Sequence, residues 1–124
     1  MKARKILVVD DDRNNRIALS ESFKDTHYEV DCTASAAYAI AKIIQGNSPI
    51  VVLSDTFEED ISVNDVVTIM KKCNHNLKII LIADDTSLET LKKLREEGIF
   101  YHSLKPRTKS DFNELNLAIQ AIRS

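Results

Sequence analysis

Short apolar runs alternate with amphipathic segments along the chain, and this alternation is the feature that most limits its fold. The runs are rich in β-branched residues, as strands are, and the segments between them carry apolar residues at helical spacing. The predicted strands are residues 6–9, 28–33, 50–53, 79–83 and 100–104. Residues 46–49 and Gly98 stand where helices should end, and Ser110 or Asp111 can cap the last helix. Strict alternation predicts an α/β protein with a parallel sheet covered on both faces.

Composition fits one domain and excludes several classes of protein. The 124 residues are 44% hydrophobic and 29% charged, so residues 1–124 are predicted to form a single domain around one core. The net charge of −2 provides no basic surface for a nucleic acid backbone, and we expect no direct nucleic acid binding. The apolar run at 6–9 is too short for a signal peptide or a membrane span. A cytoplasmic protein without membrane contact is therefore expected.

Three consecutive aspartates, Asp10, Asp11 and Asp12, follow the first predicted strand. Adjacent carboxylates repel one another, and a bound cation is the usual remedy. Aspartate is also a preferred residue at helix N-termini, so capping of the first helix is the simpler alternative for this triplet. The triplet alone therefore leaves metal binding and capping open.

Polar groups also end the later strands of the predicted sheet. Asp55 follows the third strand, Asp84 and Asp85 follow the fourth, and Lys105 follows the fifth. In such sheets, ligands bind outside the carboxyl ends of the strands, where the strand order reverses. These groups would form an acidic pocket beside one lysine, and a set of oxygen ligands suits a hard divalent ion, Mg²⁺ in particular.

The motifs that carry these groups resemble the receiver domain of two-component response regulators, the CheY-like family. The resemblance rests on ILVVDDD at residues 6–12, VVLSD at 51–55 and LKP at 104–106, at spacings that fit the family across nearly the whole chain. It implies a doubly wound, flavodoxin-like parallel sheet of five strands in the order 2-1-3-4-5. Five helices would cover it, two on one face and three on the other. It also implies a cis peptide bond between Lys105 and Pro106.

The resemblance implies a role for each polar group. Asp55 would accept a phosphoryl group from a histidine kinase or a phosphotransfer protein, and Lys105 would contact that group. Mg²⁺ or Mn²⁺ would be held by Asp11, Asp55 and the backbone carbonyl of Phe57, while Asp10 would hold a coordinated water. The domain would be no enzyme, apart from self-phosphorylation from phosphodonors and slow autodephosphorylation.

The chain departs from the family pattern at positions that transmit the signal. Ala83 stands where receivers usually have Ser or Thr, and its methyl group cannot donate a hydrogen bond to a phosphoryl oxygen. His102 stands where the family has a switch Tyr or Phe. The loop after Asp55 lacks the usual Pro and Gly and carries three acidic residues at 58–60. Asp84 replaces a small residue and would add a carboxylate near the metal.

These observations favour a receiver domain that is phosphorylated on Asp55 but switches weakly. It would signal through the surface of the fourth helix, fifth strand and fifth helix, to an output domain, a partner protein or a second copy in a weak homodimer. The alternative is a pseudo-receiver, a protein-interaction module that is not phosphorylated. A haloacid dehalogenase-like phosphatase is disfavoured because the chain is too short for a cap, although residues 10–12 satisfy its DxD pattern. An FMN site is disfavoured because the first loop has carboxylates where phosphate needs Gly, Ser and Thr.

Overall fold

The computed structural model of the protein describes residues 4–24, 26–46 and 50–122. Strands and helices alternate through these ranges. The strands are β1 (Arg4–Val9), β2 (Tyr28–Thr33), β3 (Ile50–Leu53), β4 (Lys78–Ile82) and β5 (Tyr101–Ser103). The helices are α1 (Arg13–Ser22), α2 (Ala36–Ile44), α3 (Val63–Cys73), α4 (Leu88–Glu97) and α5 (Lys109–Ile122).

The strands form one parallel sheet in the order β2-β1-β3-β4-β5, which confirms the predicted topology. One edge of β1 pairs with β2, from Arg4 opposite Tyr28 to Val9 opposite Thr33. The other edge of β1 pairs with β3. The strand order therefore reverses at β1 and β3, and the crevice at their carboxyl ends is where sheets of this kind bind ligands.

The apolar side chains form two layers, one on each face of the sheet, because successive residues of a strand point to opposite faces. Leu7 and Val9 of β1 pack in a buried cluster with side chains of α2, α3 and α4. Ile6 and Val8 pack in a second cluster with side chains of α1 and α5. The predicted division of the helices, two on one face and three on the other, is confirmed.

Polar side chains mark where the helices begin. Asp12 caps α1 by accepting the N–H groups of Asn14 and Asn15. Serines cap the next three helices: Ser35 for α2, Ser62 for α3 and Ser87 for α4. No helix in the described ranges is long and apolar enough to cross a membrane.

Glycines follow two of the helices, as predicted. Gly98 ends α4 with a φ of 101°, and Gly46 lies beyond α2 with a φ of 85°. Both values fall in the left-handed region, which glycine adopts without the steric penalty of a Cβ. The rest of the predicted stop after α2, residues 47–49, lies outside the described residues.

The predicted cap of α5 is wrong by two residues or more. The hydroxyl of Thr108 accepts the N–H of Asp111 at 3.1 Å, and the Asp111 carboxylate accepts the N–H of Thr108 at 3.1 Å. This reciprocal pair is a capping box, in which the acidic residue lies three positions inside the helix. Thr108 is therefore the cap, while Ser110 and Asp111 belong to the first turn.

The predicted cis bond between Lys105 and Pro106 is also wrong, because no peptide bond among the described residues is cis. Asp84 holds this segment instead. Its Oδ1 accepts the Lys105 N–H at 2.9 Å, and its Oδ2 accepts a guanidinium N–H of Arg107 at 2.7 Å. The first bond holds the backbone just before Pro106, and the second ties the Arg107 side chain after it to the same carboxylate.

Candidate functional site

The carboxyl end of β1 places two aspartates at the crevice in different environments. Asp10 is buried, with 2% of its surface exposed, whereas Asp11 is exposed. The Asp10 carboxylate accepts the N–H of Asp12 at 2.9 Å and the side-chain amide of Asn15 at 3.3 Å. Burial nevertheless raises the pKa of Asp10, because removal from water disfavours the charged form.

Two hydrogen bonds join Asp11 to the loop that follows β3. The Thr56 hydroxyl donates to Oδ1 of Asp11 at 2.7 Å, and the Asp11 N–H donates to the Thr56 carbonyl at 3.3 Å. Thr56 directly follows Asp55. The bonds therefore bring the predicted site residues of the first and third strands to one edge of the sheet.

Asp55 is half-buried, and the backbone on both sides of it is fixed. The buried Ser54 donates its N–H to the Val9 carbonyl at 2.9 Å. Its hydroxyl donates to the Thr56 carbonyl at 2.9 Å and accepts the Thr56 N–H at 3.2 Å. Asp55 thus lies within a tight turn that is closed by its two neighbours.

Lys105 and Asp10 line the same narrow cleft, beside Asn15 and Pro106. Lys105 is half-buried and its backbone is held by Asp84. That bond is the largest cause of a lowered pKa for Asp84. Since both Asp84 oxygens bind the loop after β5, Asp84 fastens the segment that carries the site lysine, a contact that the sequence does not indicate.

Ala83 and His102 lie together beside the site. Ala83 is fully buried, and its N–H donates to the Ser103 carbonyl at 3.0 Å. The carbonyl oxygen of Ala83 lies 3.1 Å from Nε2 of His102, an arrangement in which the ring N–H donates. His102 is half-buried and Tyr101 is exposed. His102 is therefore the residue of this pair that contacts the end of β4.

The oxygen donors predicted for a divalent cation follow β1 and β3, which are neighbours in the sheet. Among the residues that the structure describes, no three acidic, His or Cys side chains are grouped closely enough to hold a metal ion. The donors still suit Mg²⁺ by chemistry, since Asp11, Asp55 and the Phe57 carbonyl offer only hard oxygens. A cation here would compete with the rotatable Thr56 hydroxyl for Asp11.

Sequence reasoning missed the residues that hold the site in place, which are Asn15, Arg16, Ser54, Thr56 and Glu59. Arg16, for example, donates from its guanidinium to the Asp10 carbonyl at 2.9 Å. The contacts of Thr56 and Glu59 join polar residues of ordinary surface type that lie far apart in the chain. The polar pair around Asp55 is the one local signal, because Ser and Thr favour hydrogen bonds to nearby backbone groups in turns.

Glu59 makes another long-range contact, between the loop after β3 and the start of α2. Its carboxylate accepts the Ser35 hydroxyl at 2.6 Å and the N–H groups of Ala36 and Ala37 at 2.8 and 3.0 Å. The bond from Ser35 is the largest cause of a pKa for Glu59 lowered to about 2. Glu59 is therefore ionised at neutral pH and bound to a helix N-terminus that favours an anion.

Comparison with known sequences gives consistent matches. The response regulator receiver domain model matches residues 6–118. The DNA-binding transcriptional regulator NtrC of Azospirillum brasilense is 30% identical over 106 residues, which are 86% of this chain and 22% of that protein. Sporulation initiation phosphotransferase F of Bacillus subtilis strain 168 is 28% identical over 120 residues, 97% of this chain and 94% of that protein. The chain thus spans less than a quarter of the first relative and nearly all of the second.

Solved structures share the fold. A CheY-like receiver domain protein from Methanospirillum hungatei JF-1 has a TM-score of 0.85 at 20% identity, over 98% of this chain and 95% of that one. The beryllofluoride-activated NtrC4 receiver domain dimer has a TM-score of 0.81 at 23% identity, over 95% of this chain and 98% of that one. With this fold, a family match over most of its length and acidic groups at the reversal of strand order, the chain belongs to the receiver domain family of two-component response regulators.

Proposed function

We propose that the chain accepts a phosphoryl group on Asp55 in a reaction that depends on Mg²⁺ or Mn²⁺. The observation that carries this proposal is the pair of bonds between Asp11 and Thr56, because they hold the Asp11 and Asp55 segments side by side. A carboxylate oxygen of Asp55 attacks the phosphorus of the donor, and the bond from phosphorus to the leaving group breaks. The product is an aspartyl phosphate, an acyl phosphate.

Asp11, Asp55 and the Phe57 carbonyl would hold the cation, and Asp10 would accept a hydrogen bond from a coordinated water. When bound, the cation offsets the negative charge of carboxylates and phosphoryl donor. The need for this charge balance supports the assignment of a cation to the site, because the buried Asp10 and the adjacent Asp11 place two carboxylates there. Without a cation, an anionic donor would be repelled from this edge of the sheet.

Lys105 would contact the transferred phosphoryl oxygens and stabilise their charge. Its place in the cleft with Asp10 and the Asp84 bond that holds its backbone support this role. Water then attacks the phosphorus, releasing inorganic phosphate and restoring the Asp55 carboxylate. Slow autodephosphorylation of this kind, with self-phosphorylation, would be the only chemistry of the domain.

We infer that the natural donor is a phosphohistidine of a histidine kinase or a phosphotransfer protein. The domain would signal through the surface formed by α4, β5 and α5. Apolar side chains are exposed there, and they suit contact with an output domain, a partner protein or a second copy of the chain. These side chains are Leu88, Phe100, Tyr101 and Leu104. Switching would be weak, because Ala83 offers no hydroxyl to the phosphoryl group.

The experiment that tests phosphorylation is intact-mass measurement after incubation with Mg²⁺ and a small phosphodonor such as phosphoramidate. The parent should gain one phosphoryl group, and omission of Mg²⁺ or the change Asp55→Asn should abolish the gain. The pseudo-receiver is the second candidate function, favoured by the methyl group of Ala83 at a family hydroxyl position. A parent that gains no mass with Mg²⁺ present would support the pseudo-receiver and overturn the proposal.

A further inference from the structure

The acidic loop after Asp55 is anchored to the N-terminus of α2 by a single side chain. The Glu59 carboxylate accepts one hydroxyl and two backbone N–H groups there, from Ser35, Ala36 and Ala37. The first N–H groups of a helix have no partner within the helix, and their dipoles favour an anion. Glu59 thus acts as a helix cap that is supplied from a distant loop.

The neighbours of Glu59 are fixed as well, but by different contacts. The Glu58 N–H donates to the Ala34 carbonyl at 2.8 Å, and the Ile61 N–H donates to the Glu59 carbonyl at 3.0 Å. The Phe57 side chain is 8% exposed and packs in the core cluster beneath α2, α3 and α4. The backbone carbonyl of Phe57 shares a planar peptide unit with the Glu58 N–H, so it is held beside the start of α2, next to the Glu59 anchor.

We propose that Glu59 is a positioning residue for the metal site, which holds the loop so that the Phe57 carbonyl can reach a cation shared with Asp11 and Asp55. The inference rests on the proposed function. It also accounts for the absence of Pro and Gly from residues 56–60, because a carboxylate at a helix N-terminus can fix a loop that lacks a rigid turn. Without Glu59, the Glu58 N–H bond alone would hold this peptide unit at the start of α2. The Phe57 carbonyl would then have more freedom to lose when the cation binds, and that loss weakens binding.

The test compares Glu59→Gln with Glu58→Gln. Both variants remove one negative charge from the same loop, but the Glu58 side chain makes no hydrogen bond among the described residues. Mg²⁺ affinity would be measured by calorimetry and by amide NMR shifts, and thermal unfolding would be followed without Mg²⁺. We expect Glu59→Gln to weaken Mg²⁺ binding by about tenfold, and Glu58→Gln to stay within about twofold of the parent.

The outcomes separate this inference from the proposed function. A Glu59→Gln variant that unfolds at lower temperature but binds Mg²⁺ as the parent does would overturn the inference alone, since Glu59 would then serve only stability. If Glu58→Gln weakens Mg²⁺ binding as much as Glu59→Gln does, the inference is also overturned, because loss of negative charge alone would then explain the effect. A parent that binds no Mg²⁺ would overturn the proposed metal site together with the inference.

A second variant keeps the inference testable if Glu59→Gln does not fold. Ser35→Gly removes the 2.6 Å bond to Glu59, while glycine remains acceptable as the cap of α2. Two of the three bonds to Glu59 stay in place, so Mg²⁺ binding should weaken by about threefold. If Glu59→Gln does not fold and Ser35→Gly binds Mg²⁺ as tightly as the parent does, the inference is overturned.

Discussion

Asp11 and Asp12 are adjacent and carry the same charge, yet only Asp11 is joined to the loop after β3. Asp12 caps α1 instead. We therefore expect Asp11→Asn to weaken Mg²⁺ binding by about tenfold or more, because the charge of the ligands sets affinity for hard cations. Asp12→Asn is the matched control, since asparagine caps a helix as well as aspartate does. Equal affinities in a Mg²⁺ titration of the two variants would place the cation elsewhere.

Asp84 is the residue that fastens the segment of Lys105, and its removal should be visible in stability. In Asp84→Asn, the amide oxygen can still accept the Lys105 N–H, but the ion pair with Arg107 is lost. The Arg107 side chain is 68% exposed, so the loss should lower the free energy of unfolding by only about 1 kcal/mol. Urea denaturation at neutral pH measures the difference, with the neighbouring exposed change Asp85→Asn as control.

The same variant should respond differently to acid. The Lys105 N–H is the main cause that lowers the pKa of Asp84 in the folded protein. The folded state then binds fewer protons than the unfolded state, so the stabilisation is complete above about pH 4 and disappears as the pH falls through the folded pKa. Between neutral pH and about pH 3, the parent should therefore lose more unfolding free energy than Asp84→Asn does. An equal loss in both would contradict this origin of the shift.

The aspartate triplet marks the limit of prediction for the site. Its position after a buried strand predicted that it lies at the carboxyl ends of the strands, where the strand order reverses. The observed order confirms that β1 lies at this reversal. The triplet by itself left capping and metal binding open for all three residues, because it contains no information on which carboxylate turns inward. Only the family resemblance implied roles for Asp10 and Asp11. The structure buries Asp10, exposes Asp11 and assigns the cap to Asp12. Contacts such as Glu59 to α2 join residues far apart in the chain, and no local pattern indicates them.

At the level of strands, hydrophobic pattern located each element but did not fix its ends. β1 begins at Arg4, two residues before its apolar run, because Arg4 and Lys5 continue the pairing with Tyr28 and Glu29 of β2. These residues are exposed at the strand start and give no hydrophobic signal. Backbone pairing with a neighbour is a tertiary property, so it extends strands beyond the residues whose burial predicts them.

α4 has one fully buried side chain among its ten residues, Leu94, and the partly buried Leu91 packs against the same core cluster. Leu94→Ala should lower the free energy of unfolding by about 2–5 kcal/mol, since it removes packing and leaves a cavity. Amide hydrogen exchange should accelerate in α4 before it does in the sheet. Leu88→Ala is the matched control, because Leu88 is 85% exposed on the same helix. Unchanged stability in Leu94→Ala would show that α4 contributes little to the fold.

For the molecule as a whole, a phosphoryl group on Asp55 can alter a distant surface only through a difference in its affinity for two states. In receivers that this chain resembles, a hydroxyl at the position of Ala83 contributes to that difference. A hydrogen bond to a charged oxygen is worth about 1.5–3 kcal/mol, so its loss reduces the population shift by about tenfold or more. Ala83 is buried and its carbonyl is bonded to His102, which ties the switch position to β4 before any phosphorylation.

Beryllofluoride with Mg²⁺, which mimics a phosphoryl group, should therefore move the amide NMR signals around Asp55 strongly and those of α4 and β5 weakly. Ala83→Ser restores a hydroxyl with the smallest added volume, and it should enlarge the shifts near His102 and along α4. Asp55→Asn is the control and should show no shifts. Large shifts across α4 and β5 in the parent would contradict weak coupling. If the distant shifts in Ala83→Ser are no larger than in the parent, the missing hydroxyl is not the cause of the weak coupling. The hydroxyl would then add nothing to the difference in affinity of the phosphoryl mimic for the two states.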